Sequence, residues 1–444
     1  MQTSFSLAQL ADPDVSEADK ILRACVHCGF CTATCPTYVL LGDEDDSPRG
    51  RIYLIKDMLE KGEGARREVV THLDRCLSCL GCMTTCPSGV HYMHLIDHAR
   101  AHVEATYRRP LVDRLVRAAL ARVMTDPQVF RRMLRLALVG KPFAKLFDLV
   151  RLRPLAAMLR LAPVRLPRAG EAAPAVFPAE GRRRGRVALL SGCVAPVLAP
   201  GINAAAVRVL TRHGFDVVLA RDEGCCGALV HHLGSREEAH RAARRNVDAW
   251  IREADVGGLD AIVTTASGCG TTIKDYGFML RTDEAYAERA ARVSSLTRDI
   301  SEFVNEFIKL ECVPVPAVKV AYHGACSLVH GQKVTNGPKA VLARAGFAVV
   351  DIPEGHLCCG SAGTYNILQP ELANHLRDRK IANIDKVMPE LIAAGNIGCI
   401  TQIAAGTPIP VVHPIELIDW ATGGSAPKAL ERTRRSGASG DSSE

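Results

Sequence analysis

Two hydrophobic periods alternate in the second half of the chain. Val187 to Leu190 is a short apolar run that predicts a strand. Ile202, Ala205, Ala206, Val209 and Leu210 then recur at helical spacing until Gly214. Phe215 to Leu219 predicts the next strand, Ser235 with Glu238 forms a capping-box pattern opening a further helix, and Ala261 to Thr264 predicts a third strand. Strands alternating with helices imply a parallel sheet covered by helices. Nearer the N-terminus the period is helical: Ile52, Ile55, Met58 and Leu59 mark one helix, and Val69, Val70 and Leu73 another.

The strand–helix pattern occurs twice. RVALLSGC at Arg186 aligns with KVAYHGAC at Lys319, an offset of 133 that Cys193 and Cys326, Cys225 and Cys358, and Cys226 and Cys359 all keep. Cys269 and Cys399 shorten it to 130. Each copy reads Cys, then Cys-Cys-Gly, then Gly-Cys, and matched triplets with matched upstream cysteines indicate a true repeat. The chain therefore divides into residues 1–105, a segment at 106–180, a first copy at 181–310, a second at 311–425, and a polar tail at 426–444 expected to be disordered. The fold expected is multidomain α plus α/β: a helical N-terminal unit, then two duplicated domains with parallel sheets.

Charge changes the picture of the middle segment. The net charge is +7, but residues 106–186 hold 19 Lys/Arg against 5 Asp/Glu. Arg131, Arg132, Arg135, Lys141, Lys145, Arg151, Arg153 and Arg160 alternate there with Leu, Val, Phe and Met. Pro127, Pro142, Pro154, Pro163 and Pro167 interrupt it, and an Ala/Pro-rich stretch ends it. This reads as a basic helical linker, a membrane-surface contact or a docking face for an acidic partner. Nucleic acid is not expected, since no base-stacking aromatic pattern accompanies the charge.

Composition is that of an ordinary folded protein, with 48% hydrophobic and 23% charged residues. Cysteine is the exception, at 17. The count is odd, the chain is far too long for a stapled mini-domain, and no signal peptide or membrane-spanning run is visible. A reducing cytoplasm, where clustered cysteines bind metal or do redox chemistry, is the expected setting.

Eight of the cysteines form two runs, CVHCGFCTATCP from Cys25 and CLSCLGCMTTCP from Cys76, offset by 51 residues throughout. The spacing C-x2-C-x2-C-x3-C-P is that of two-cluster ferredoxins, in which the fourth cysteine ligates the other cluster. The assignment is Cys25, Cys28, Cys31 and Cys86 for one 4Fe–4S cluster, and Cys76, Cys79, Cys82 and Cys35 for the second. Structural zinc usually takes two separated cysteine pairs, and a third cysteine two residues on has no place in that pattern. The proline after each run keeps its last cysteine out of helical geometry.

Cys193, Cys225, Cys226 and Cys269 each follow the carboxyl end of a predicted strand, the edge where open α/β sheets build sites. With Cys326, Cys358, Cys359 and Cys399 they are candidates for a further metal or cluster, for buried reduced thiols at an interface, or for a catalytic thiol. His323, with Leu190 as its counterpart, is expected to be structural, and Cys312 an ordinary buried thiol. No GxGxxG after a strand and no GxxxxGK[ST] occurs, so neither a dinucleotide nor an NTP has an evident seat. No catalytic residue is assigned.

ILRACVHCGFCTATCPTY, SPRGRIYLIK, HLDRCLSCLGCMTTCPSGV and the two CCG units with TASGCG and HLCCGSAGTY resemble the iron–sulfur subunits of bacterial glycolate oxidase over residues 20–420. The resemblance implies two 4Fe–4S clusters on this chain. It also implies FAD on partner flavoprotein subunits that oxidise glycolate to glyoxylate, and a quinone-like acceptor at the membrane, placing the chain in the cytoplasm or peripherally on the inner membrane face. More distantly the chain is similar to subunits of lactate-utilisation and anaerobic glycerol-3-phosphate dehydrogenases, so a lactate or glycerol-3-phosphate substrate is the alternative. A zinc-binding interaction module is the alternative of another class. The CCG subunit of heterodisulfide reductase closes its repeat on C-x-x-C. Ala266 and Asn396 replace the first cysteine of that pair here, so its noncubane cluster is not expected.

Overall fold

The computed structural model describes residues 1–149, 153–163, 165–169 and 174–430. Arg151 of the basic segment and the tail from residue 431 lie outside the described residues. The N-terminal unit is helical, with Pro13–Ala24, Pro48–Lys61, Arg67–Asp74 and Tyr92–Thr106 closing around Leu22, Ile55, Leu73, Leu95 and Ile96. Both helices predicted from the apolar spacing are present here.

Each repeat is a sheet sandwiched by helices. The first has β1 (Ala175–Phe177), β2 (Gly185–Leu189), β3 (Phe215–Leu219), β4 (Ala261–Thr264) and β5 (Thr297–Asp299) in the order β1-β3-β2-β4-β5. β1 is antiparallel to β3, and the other pairs are parallel. The second has β6 (Lys319–His323), β7 (Ala348–Asp351), β8 (Leu391–Ala394) and β9 (Val411–Val412), all parallel, in the order β7-β6-β8-β9. β1, only three residues long, and β5, a Thr-Arg-Asp triplet with no apolar residue, do not announce themselves as strands.

Alternation explains why the central strands are largely apolar. Val187, Leu189, Val217 and Leu219 point into one core, and Ala188, Leu190 and Val218 into another on the opposite face with Trp250. Strands buried on both faces need no polar side. The first of these cores continues through Val320, Tyr322 and Leu391, so the two repeats share it. Their carboxyl edges meet: Ser267 and Ser327 hydroxyls are 2.7 Å apart, and Thr271 Oγ1 donates to Ser327 O at 2.8 Å.

The N-terminal unit docks on both repeats. Against the first, His94 Nε2 lies 2.9 Å from Asp275 and stacks on Phe278, Asp14 pairs with Arg236 and Arg281, and Asp97 meets His231 at 3.3 Å. Burial alone would raise the Asp97 carboxyl, but His231 and His232 hold it well below the usual carboxylate range. Against the second, Thr84 Oγ1 lies 2.7 Å from His330 Nδ1, and Leu77 and Cys79 pack with Cys326, Cys358 and Tyr365. The basic segment forms helices Leu111–Met124, Pro127–Gly140 and Arg153–Leu161, and the last packs on elements of the second repeat.

Two local expectations are corrected. Ser235 does precede the helix Arg236–Gly257, but its side chain makes no cap bond. Its ψ of 76° is short of the extended geometry a capping oxygen needs, and its own N–H donates to Val230 O at 2.9 Å. The capping box of this region is Asp299 with Glu302, ahead of Ile300–Phe307. Cys312 is exposed rather than buried, because the irregular stretch joining the repeats carries it over the surface.

Candidate iron–sulfur centres and facing thiol clusters

The two cysteine runs share a backbone as well as a spacing. His27 (φ 55°) and Gly29 (φ 86°) are left-handed in the first, and Ser78 (φ 49°) and Leu80 (φ 62°) in the second, again 51 residues apart. Only Gly29 adopts that region without steric cost. Repeated left-handed turns curl each loop and turn successive amides inward, the concavity that suits an anionic cluster. After each run the final cysteine is extended: Cys35 has φ −83° and ψ 115°, Cys86 φ −75° and ψ 114°. Pro36 then opens the helix Pro36–Leu41.

Cys25, Cys28, Cys31 and Cys86 line one cleft together with Cys82. Cys35 does not line that cleft, and its sulfur lies 3.3 Å from Thr37 Oγ1. The Cys82 thiol is pushed well above its ordinary pKa by burial first and then by neighbouring Cys79, Cys76 and Cys35, and Cys79 is raised by burial, then by Cys326 and Cys35. Burial pushes Cys31 up to about 11. Thiols so placed ionise only against metal, so metal capture here releases protons. The donor set, four sulfurs around each inward-curled loop, fits a cubane cluster.

Charged groups that sequence reasoning passed over hold these loops. Arg51, fully buried, donates from Nε to His72 O at 2.7 Å and from one terminal nitrogen to Asp46 at 3.0 Å and Thr37 Oγ1 at 3.1 Å. Its other terminal nitrogen points at Cys35 Sγ, 3.8 Å away. Arg75 and His72 also approach Asp46, at 2.7 and 3.1 Å. Arg100 grips the second loop, bonding Ser78 Oγ and Cys76 O at 2.6 Å each. Arg51 lies in the SPRGRIYLIK stretch, so the only sequence signal was an arginine on the apolar side of a helix.

The repeat cysteines converge as the sheet edges require. In the first copy Cys193, Cys225 and Cys226 share hydrogen bonds that lower the Cys225 thiol and raise the other two. In the second, Cys326 and Cys358 sulfurs are 3.9 Å apart. The donor atoms of His323, Cys359 and Cys399 lie within 4.8 Å of one another, and all three residues are buried. Both ring nitrogens of His323 are buried without a hydrogen-bond partner, which a merely structural histidine would not tolerate cheaply.

Comparison with known proteins agrees with this layout. A family model described as "4Fe-4S dicluster domain" matches residues 24–90, and one described as "Cysteine-rich domain" matches 187–274 and 320–404. The chain is thus of the class that joins a dicluster ferredoxin-type unit to a duplicated cysteine-rich unit. It is 45% identical to the glycolate oxidase iron–sulfur subunit of Escherichia coli over 95% of this chain and 99% of the relative, and 31% identical to a probable glycolate oxidase iron–sulfur subunit of Bacillus subtilis over 87% and 89%. Lactate utilization protein A of Bacillus licheniformis is 24% identical over 53% of this chain and 99% of its own length. The chain belongs to the family of glycolate oxidase iron–sulfur subunits.

Removing the Arg51 charge leaves Asp46 buried beside only Arg75 and His72. Arg51→Met should therefore cost about 3 kcal/mol of stability, with Arg51→Lys recovering part of it. Denaturant unfolding of the two variants beside the wild type checks this.

Proposed function

We propose that this chain carries electrons within a glycolate oxidase complex, taking them from a partner flavoprotein that holds FAD and oxidises glycolate to glyoxylate, and delivering them to a quinone-type acceptor. The observation that carries the reading is the pair of similarly curled four-cysteine loops. A 4Fe–4S cluster, when bound, accepts and returns one electron at a time. Cys25, Cys28, Cys31 and Cys86 would hold one, and Cys76, Cys79, Cys82 and Cys35 the second, each loop lending its last cysteine to the other.

The chain's own residues suggest a direction. The first loop lies open, with Cys28 exposed and Val26 and Phe30 projecting, which suits contact with the flavoprotein. The second is enclosed by the repeats. On this reading residues 1–105 are the dicluster unit, 106–180 a basic helical connection, and 181–310 and 311–425 the cysteine-rich domains. No described helix is long and apolar enough to cross a membrane, and a peripheral position on the inner membrane face is the proposal for the assembled complex. Glycolate is favoured over lactate because the lactate-utilisation relatives cover only about half of this chain. The substrate site itself belongs to the partner.

In the second repeat, His323, Cys359 and Cys399, whose donor atoms lie within 4.8 Å of one another, would hold a tetrahedral ion of the zinc type, completed by Cys326 or Cys358. The first repeat, with Leu190 in place of His323, would not bind it in this way.

Mixed with its flavoprotein partners, the purified chain should support glycolate-dependent dye reduction that neither component shows alone; activity of this chain by itself would defeat the subunit reading. His323→Leu, which copies Leu190, should remove one non-iron metal per chain while leaving the iron content unchanged, as elemental analysis would show.

A further inference from the structure

One large space lies among the described residues. It measures about 780 Å³ and lies between the helices Leu111–Met124, Pro127–Gly140 and Arg153–Leu161 on one side and the facing carboxyl edges of the two repeats on the other. Its helical wall is apolar: Leu115, Ala119, Phe130, Met133, Leu134 and Ala137 all face it. Its opposite wall carries the thiols of both repeats. Its floor includes Leu77 and Ser78, the two residues between Cys76 and Cys79. A largely apolar space is thus continuous with the loop of the second four-cysteine set.

We infer that this cavity binds an isoprenoid quinone. Small-molecule sites typically occupy roughly 300–1,000 Å³, largely apolar with a few polar groups that fix orientation. Here the volume holds a ring and the first part of its tail, and Ser361, Asn396 and His232 supply polar edges. Nicotinamide and flavin nucleotides are excluded by their phosphates, which would have to lose their water against leucine and methionine. An uncharged, flat, apolar electron acceptor meets every wall.

The mouth favours the same ligand. Leu115 and Leu136 are 60% and 65% exposed where the cavity opens, and Arg114, Arg132 and Arg135 stand exposed beside them. Apolar side chains ringed by arginines suit a surface resting on anionic lipid, from which a quinone tail would enter. A quinone held there becomes the quinol by gaining two electrons and two protons, the electrons from the partner's two-electron oxidation of glycolate and the protons from water at the mouth. That role rests on the relay reading above; occupancy of the cavity does not.

The test uses the full-length subunit with its iron in place, kept anaerobic, and a short-chain azidoquinone photolabel. Label should fall on peptides within residues 111–140 or on the loop bearing Leu77 and Ser78, and excess decylubiquinone should prevent it. Ala119→Trp and Ala137→Trp, which fill the cavity, should reduce labelling at least about tenfold with unchanged iron content. Ala119 is exposed, so its replacement need not disturb folding, and Leu136→Glu at the mouth gives an independent variant. Label elsewhere, label indifferent to all three variants, or displacement of label by quinone-free phospholipid vesicles as readily as by quinone would overturn the proposal. Labelling as predicted in an iron-loaded subunit that passes no electrons from its reduced flavoprotein partners to decylubiquinone would uphold the cavity and defeat the relay, so the two failures are separable.

Discussion

A thiol buried among apolar groups stays protonated unless something positive stands beside it, and this molecule buries or half-buries most of its thiols. That constraint governs the rest. Eight sulfurs sit on two loops bent into a conformation that three of their four left-handed residues adopt only at a steric cost. Arg51, an uncommon example of a guanidinium with almost no solvent contact, supplies positive charge beside Cys35 and is itself secured by Asp46. Strain in the loops and charge beneath them make sense together when the sulfurs are paid for by metal.

The repeats extend the same logic with a different scaffold. A parallel sheet gathers whatever follows its strands at one edge, and two sheets sharing a core bring their edges face to face. Thiols scattered over more than 200 positions of sequence therefore border one space. Helix Tyr92–Thr106, tied to the first repeat through Asp97 and His94, and the Leu77–Cys79 loop, packed on the second, set the dicluster unit against that arrangement. The placement leaves the first cysteine loop open to a partner and the second enclosed.

Much of this was legible in the chain. Phe215–Leu219 and Ala261–Thr264 were readable to the residue because most of their positions on either face are apolar, and the offset of 133 announced the duplication. The spacing of the tight runs was enough to name their chemistry. Other features depended on contacts that no local pattern encodes. β1 is held by pairing with β3, and the cap at Ser235 failed because Val230 claims its N–H. Cys312 looked buried only because thiols usually are. His323 gained meaning when β6 and the Cys359 and Cys399 loops met. The cavity beneath the basic segment could not be foreseen, since its walls come from all parts of the chain; the segment's mixture of leucine and arginine suggested a surface, not a roof.

The claim on which the account stands is that each cysteine loop completes the other's metal centre. Mössbauer and paramagnetic resonance spectra of anaerobically prepared protein, wild type against Cys86→Ser, examine it most directly. The account predicts two 4Fe–4S signals in the wild type, and in the variant a perturbed or three-iron signal from the centre held by Cys25, Cys28 and Cys31, with the one held by Cys76, Cys79 and Cys82 intact. Disturbance of that second centre in place of the first would contradict it.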